Sequence, residues 1–172
     1  MIIHTQRLCL RPWSDADAPA LFELARDPRI GMLCGWKPFE CIDDAHEALS
    51  TVLAAPDSYA VTLGSTGEIV GSIALRIDTD SPEATVADIG YWIGVPYWGN
   101  GYATEAGHAI IERARELGVE TIILKYSDGN DASRRVSEKL GFRWRSREEG
   151  VEYPLIGKHL TVHRTELALA AH

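Results

Sequence analysis

Tyr91-Trp92-Ile93-Gly94-Val95-Pro96-Tyr97-Trp98-Gly99-Asn100-Gly101-Tyr102-Ala103-Thr104-Glu105-Ala106 is the segment on which the fold turns. A strand ends, a glycine-punctuated loop follows, and a helix begins within the loop's last residues. The start of such a helix aims several unpaired backbone N–H groups and the positive end of its dipole at one point. A pyrophosphate fits that arrangement. Gly99 and Gly101 permit positive φ and close approach of a phosphate, Ala103 keeps the first turn thin, and Thr104 adds a hydroxyl donor. A glycine-rich helix entry with no ligand is the alternative at this point. The pattern is not GxGxxG, because Thr104 stands where the third glycine belongs, and the Gly-Lys-Ser/Thr of a P-loop is missing.

A second segment, Asn130-Asp131-Ala132-Ser133-Arg134-Arg135-Val136-Ser137-Glu138-Lys139-Leu140-Gly141-Phe142, reads as a short helix closed by Gly141. Asn130 and Ser133 place an amide and a hydroxyl one helical turn apart, where both can face one ligand. Asn130 is equally suited to cap the helix.

Outward from these segments, Leu8 and Leu10 with the alternating Arg7 and Arg11 read as a short first strand. Ser14 ahead of Asp15 and Asp17 opens a helix carrying Leu21, Phe22, Leu24 and Ala25, with Pro28 as its stop. Residues 31–38 read as loop and 43–54 as a second helix. Residues 59–63 and 69–77 flank Gly64-Ser65-Thr66-Gly67 as a hairpin, and 84–93 form a third strand of that run. A helix over 101–117 leads to a strand at 121–125 and a helix at 131–140. The last strands, 142–149 and 161–169, flank a loop with Gly150, Pro154 and Gly157. The order β-α-α-β-β-β-α-β-α-β-β is α/β with a mixed sheet.

At 172 residues the chain suits one domain, taken as 1–172, and a hydrophobic content of 45% with 24% charged residues excludes disorder and coiled coil. A net charge of −8 disfavours a nucleic-acid partner, since phosphate contacts need a stripe of Lys and Arg. Cys9, Cys34 and Cys41 form no CxxC pair and suit a reducing compartment. No basic region precedes a long apolar run, and no stretch approaches the ~20 apolar residues of a membrane span. A cytoplasmic protein without membrane partner is expected.

Together the two segments resemble the GNAT superfamily of acetyl-CoA-dependent N-acetyltransferases. Trp98-Gly99-Asn100-Gly101-Tyr102-Ala103 is similar to that family's pyrophosphate motif, Arg/Gln-x-x-Gly-x-Gly/Ala, at Gly101 and Ala103. Trp98 in the first position, the longer Tyr97–Ala106 string, Thr5-Gln6-Arg7-Leu8-Cys9-Leu10-Arg11-Pro12, and Asn130-x-x-Ser133 with Glu138-Lys139-Leu140-Gly141-Phe142 look like the ribosomal-protein N-terminal acetyltransferase (RimJ/RimL-like) branch. The resemblance implies an α/β single-domain GNAT fold. Its central sheet is mixed and mostly antiparallel, with about six to seven strands splayed in the middle and about four flanking helices. It implies acetyl-CoA as cosubstrate, held by Ile93, Gly94, Val95, Trp98, Gly99, Asn100, Gly101, Tyr102, Ala103, Thr104, Asn130 and Ser133. No metal is implied. A homodimer is a family-level expectation.

Acetyl transfer from a thioester needs a neutral amine, a stabilised oxyanion and a leaving thiolate. An α-amine with a pKa of about 7.7–8.0 is already partly neutral, so a modest base suffices; a lysine near 10.4 is almost wholly charged. Family resemblance points to a backbone N–H near residues 93–95 for the oxyanion. The resemblance makes Asp88 and Glu152 the candidate bases: Asp88 stands on a strand where many relatives carry a catalytic Glu, and Glu152, on the loop before Tyr153, is similar to an acidic residue of the ribosomal branch. A solvated surface carboxylate is the alternative for each. The family's usual tyrosine acid would fall at Ser137; the resemblance to the RimJ/RimL-like branch, whose matching serine lies near the thiol, makes Ser133 the candidate acid. The acceptor is expected to be a protein or peptide N-terminal α-amine. A small amine (polyamine, amino-sugar or antibiotic) and a non-catalytic acyl-CoA-binding domain are the alternatives. His159 and His163 on one strand would stand about 13 Å apart, too far for one metal. Trp13 and Trp36 suit either an acceptor pocket or the core.

Overall fold

The computed structural model describes residues 1–77 and 85–169. Eight strands form one sheet: β1 (Ile3–His4), β2 (Leu8–Pro12), β3 (Ser58–Leu63), β4 (Ile69–Ile77), β5 (Val86–Ile93), β6 (Thr121–Ser127), β7 (Arg143–Tyr153) and β8 (Lys158–Ala168). Their order is β1-β2-β3-β4-β5-β6-β8-β7. Every neighbouring pair is antiparallel except β5–β6. Five helices accompany them among the described residues: α1 (Ala18–Ala25), α2 (Pro28–Cys34), α3 (Ile42–Ser50), α4 (Tyr102–Glu116) and α5 (Asp131–Lys139).

Alternation along β5 separates two cores. Ala87 and Ile89 join Ile110, Ile111 and Ala114 of α4 in the larger one, with Ile122 and Leu124 of β6. Trp92, turned to the other face, packs on Ala18, Leu21 and Ala25 of α1 and Ala45 of α3. A sheet with an apolar face on each side needs a helical layer on each.

The single parallel junction is short. β5 and β6 are in register only from Val86↔Thr121 to Ile89↔Leu124. Beyond it, Gly90–Ile93 stay with β4, while 125–127 of β6 follow β8. The two central strands therefore part midway, leaving one edge of β5 open over residues 90–93. This is the expected splay.

Four readings need correction. Pro28 does not end a helix before a loop; it is the first residue of α2, whose N-cap Asp27 accepts the Arg29 N–H at 3.0 Å. Proline is well placed there, since its missing N–H has no helical partner at that position. The second helix stops at Ser50, where Thr51 leaves helical geometry with φ −119° and ψ −96°. The strands expected to end at 149 and restart at 161 continue toward each other, so Glu152 lies on β7, opposite His159, and not in a loop. A bulge between Glu148 and Val151 absorbs Gly150 at φ 70°. The counts among the described residues are accordingly eight strands and five α-helices, with Ile3–His4 the added edge strand. Of the third strand's expected range, Ala84 lies outside the described residues.

Candidate active site

Gly101 is the N-cap of α4 at φ 79°, and Gly99 shares that left-handed value. The first backbone N–H of the helix to find an intrahelical acceptor is that of Glu105, bonded to Gly101 O at 3.0 Å. The N–H groups of Tyr102, Ala103 and Thr104 are thus left for a ligand, at the positive end of a helix of 15 residues. A Cβ on Gly101 would meet nothing closer than Arg7 Nη2 at 3.7 Å, so the cradle is open on that side. A pyrophosphate fits a site of this kind.

The loop is braced from β1–β2. Glu105 accepts from Thr5 Oγ1 at 2.6 Å, from the Arg7 N–H at 2.7 Å and from Arg7 Nε at 2.7 Å. Arg7 also donates to Asn100 O at 3.0 Å and lies over the Tyr102 ring. Burial works to raise the Glu105 carboxyl, but the bonds from Thr5 and Arg7 hold it below the usual range. Arg7 and Glu105 are 98 residues apart, and no local spacing in the sequence pairs them.

Trp98 and Asn100 are drawn into the loop itself. Trp98 Nε1 donates to Ile93 O at 2.7 Å. Asn100 Nδ2 donates to Tyr97 O at 3.0 Å and to Trp98 O at 3.3 Å. What Trp98 retains for a ligand is its half-exposed ring, and Asn100 its backbone. The bond from Trp98 also fixes the end of β5. The Gly94 N–H points to β4, donating to Val70 O at 2.8 Å. Strand alternation then turns the N–H and C=O of Ile93 to the open side. Trp98 occupies the carbonyl, leaving the Ile93 N–H as a donor on the splayed edge. Val95 begins the short 3₁₀ turn Val95–Tyr97 beyond it.

Across the opening, Asn130 caps α5 by accepting the Ser133 N–H at 3.1 Å. Its carbonyl is thereby engaged, while its NH₂ is left to donate. Ser133 is buried, 9% exposed, and its Oγ accepts from the Tyr91 hydroxyl at 3.1 Å. Ser137 is 1% exposed and its hydroxyl donates to Arg134 O at 2.8 Å, so it has no access to a ligand.

The two candidate bases are not brought together. Asp88 is ion-paired to Arg76, its cross-strand partner. It also stands five residues back from Ile93, about 16 Å along the strand. Glu152 is exposed on β7, and the Tyr153 that follows packs over Gly35 at the end of α2. On that side Trp36 lies 5.6 Å from Phe39 and 6.3 Å from Trp92, ring centre to ring centre. Trp13 packs into the second core. Burial pushes the Cys34 thiol up to about 11, although Trp36 hydrogen-bonds it, so it is a poor nucleophile at neutral pH. Among the described residues no group of His, Cys, Asp and Glu is placed to hold a metal ion.

The pattern of the acetyltransferase (GNAT) domain family matches residues 7–143. The chain belongs to the GNAT family of acetyltransferases. It is 28% identical over 156 residues to the uncharacterised N-acetyltransferase YoaA of Bacillus subtilis, covering 87% of this chain and 85% of that one. The crystal structure of a GNAT-family acetyltransferase from Bacillus anthracis superimposes with a TM-score of 0.87 at 23% identity, covering 98% of both chains. An acetyl transferase from Salmonella typhimurium that modifies the N-terminal serine of 50S ribosomal subunit protein L7/L12 superimposes with a TM-score of 0.81. Its identity is 19%, over 99% of this chain and 100% of that one. As a GNAT enzyme the protein transfers acetyl from acetyl-CoA to an amine. The free N–H groups of α4 suit the pyrophosphate, and the β5–β6 opening leads from them toward Ile93 and Ser133.

Proposed function

We propose that this GNAT enzyme acetylates protein or peptide N-terminal α-amines by direct transfer within a ternary complex. The observation that carries the direct route is the pairing of one free backbone donor, Ile93 N–H, with one buried hydroxyl, Ser133, across an opening that begins at the α4 anion site. The backbone donor meets the charge that develops on the carbonyl oxygen as the amine attacks. The hydroxyl meets the departing sulfur. A half-buried Cys34 with a raised thiol pKa argues against a covalent acyl-cysteine, because the nucleophile would be the thiolate.

The base on this reading is Glu152, acting through water. Asp88 already shares its carboxylate with Arg76 and stands too far back on β5 to reach the opening directly. An exposed carboxylate is a modest base, and a modest base matches an α-amine better than a lysine. The Tyr97–Ala106 and Asn130–Phe142 strings support the ribosomal-protein branch, and the similarity of fold to the Salmonella typhimurium enzyme agrees with it.

The test is thiol release from acetyl-CoA with three acceptors: a peptide with a free N-terminal serine, spermidine and glucosamine. Turnover with the peptide, lost when its α-amine is blocked, is the expected result. Turnover with spermidine or glucosamine alone would move the acceptor to small amines. Glu152→Gln is expected to lower kcat most on the acid side of the profile, while Asp88→Asn leaves the shape of that profile unchanged. The reverse pattern would assign the base to Asp88.

A further inference from the structure

Tyr91 and Ser133 stand on opposite banks of the opening. Tyr91 lies on β5 where the strand has left β6, and Ser133 lies in the first turn of α5. They are 42 residues apart in sequence, yet the phenol donates to Ser133 Oγ at 3.1 Å. A serine hydroxyl has a single hydrogen and two acceptor lone pairs. With one lone pair taken by the phenol and its neighbouring N–H bonded to Asn130, Ser133 is held in a narrow range of rotamers. Its own hydrogen is left free for a third partner. Ser137, where the family's tyrosine would fall, is buried and bonded within α5. The phenol in this site therefore comes from β5.

We propose that Tyr91 is a positioning residue that orients the Ser133 hydroxyl as a donor to the coenzyme A sulfur. This rests on the acetyl-transfer reading of the same site. When the tetrahedral adduct collapses, the C–S bond breaks and its electron pair leaves on sulfur. The hydrogen bond from Ser133 stabilises that charge, and the thiolate later takes its proton from water. No proton passes along the pair. Burial pushes the Tyr91 phenol up to about 12, and a thiolate whose acid has a pKa near 8.5 is too weak a base to remove it. The phenol acts by polarising and aiming the serine.

Calorimetry on the full chain with free coenzyme A tests this without an acceptor, with desulfo-coenzyme A, which lacks the thiol, as the control. If Ser133 donates to sulfur, the bound thiol ionises more readily than the free one. Affinity for coenzyme A then rises with pH between about 6.5 and 9, relative to the desulfo compound. Tyr91→Phe is expected to cut that rise by about threefold, and Ser133→Ala to abolish it. The double variant should match Ser133→Ala alone. In turnover, Tyr91→Phe should lower kcat with the KM for acetyl-CoA nearly unchanged. A Tyr91→Phe variant with the full rise overturns the proposal. So does equal weakening of both ligands, which is the mark of lost packing, or an absence of any rise in the wild type. If the wild type binds neither ligand, the acetyl-CoA reading of the site falls first and takes this inference with it.

Discussion

Ile93 offers the open edge one N–H and one C=O, and the mechanism proposed above depends on their being treated differently. Trp98 takes the carbonyl at 2.7 Å, so the peptide is anchored on one side while the donor stays free. Trp98→Phe keeps the ring and removes only the indole N–H. With one hydrogen bond worth about 1 kcal/mol, acetyl transfer should slow about fivefold in kcat, with a smaller change in coenzyme A affinity. If affinity alone changes, Trp98 serves the ligand and not the strand. Gly101 raises a separate question of backbone. A methyl group there has room, with Arg7 Nη2 at 3.7 Å, but φ 79° is costly for any L side chain. Gly101→Ala should lose about 1 kcal/mol of stability, which lowers Tm by roughly 2–4 °C for a domain of this size. Coenzyme A affinity by calorimetry should fall about tenfold or more if the cradle shifts. Unchanged affinity would remove the first turn of α4 from the phosphate site.

At the scale of elements, the proposed function puts the acceptor at the junction of α2 with the tip of the β7–β8 hairpin. Gly35 ends α2 at φ 80°, and a Cβ there would lie 2.1 Å from the Tyr153 ring, which is not physically possible without displacement. Gly35→Ala should therefore lever the hairpin tip from α2. The expected signature is a several-fold higher KM for the amine with calorimetric coenzyme A affinity unchanged, because α4 lies elsewhere. Equal loss of both would place the junction's effect on the whole fold. These elements also mark where sequence was hardest to read. The segment 91–106 was legible because its chemistry is backbone geometry, which glycine spacing states directly. Asp27-Pro28 was not, since proline closes one helix and opens the next with the same locked φ. Gly150 suggested a loop, but a bulge accommodates it within β7. Arg7–Glu105 and Tyr91–Ser133 leave no local signature because each joins distant segments, and the family pattern points to position 137 on α5 for a tyrosine.

Across the whole molecule, a net charge of −8 coexists with carboxylates tied to arginines at the joints between layers. Asp17 accepts from both terminal nitrogens of the Arg11 guanidinium, at 2.7 and 2.8 Å, fastening the start of α1 to β2. Asp57 accepts from Tyr59 Oη at 2.7 Å and Arg113 Nε at 2.9 Å, fastening α4 to the entry of β3. Glu105 fastens the other end of α4 to Thr5 and Arg7. At each, burial works to raise the carboxyl, and the bonds outweigh it and lower it. A carboxyl depressed in the folded state contributes its full stability above its unfolded pKa. It loses that contribution as pH falls through the folded value. Here the unfolded values are 3.8 for the two aspartates and 4.5 for Glu105. Stability should thus be flat from neutrality to about pH 5 and decline steadily below it. Asp57→Asn tests the account at one joint, since Asp57 and Arg113 are both mostly shielded, with side chains 15% and 18% exposed. At pH 7 the variant should lose about 1–2 kcal/mol, less than a fully buried pair because solvent still screens it. The gap in Tm from wild type should narrow as pH falls below 3.8, where the native carboxyl too becomes protonated. A gap constant down to strong acid would mean that the substitution acts through the hydrogen-bonding pattern of the new amide and not by charge. The acidic surface adds an opposite trend, because protonation relieves its self-repulsion on the way down. The decline should therefore begin earlier, at a higher pH, in high salt, where that compensating relief is already screened out and only the shielded pairs still report.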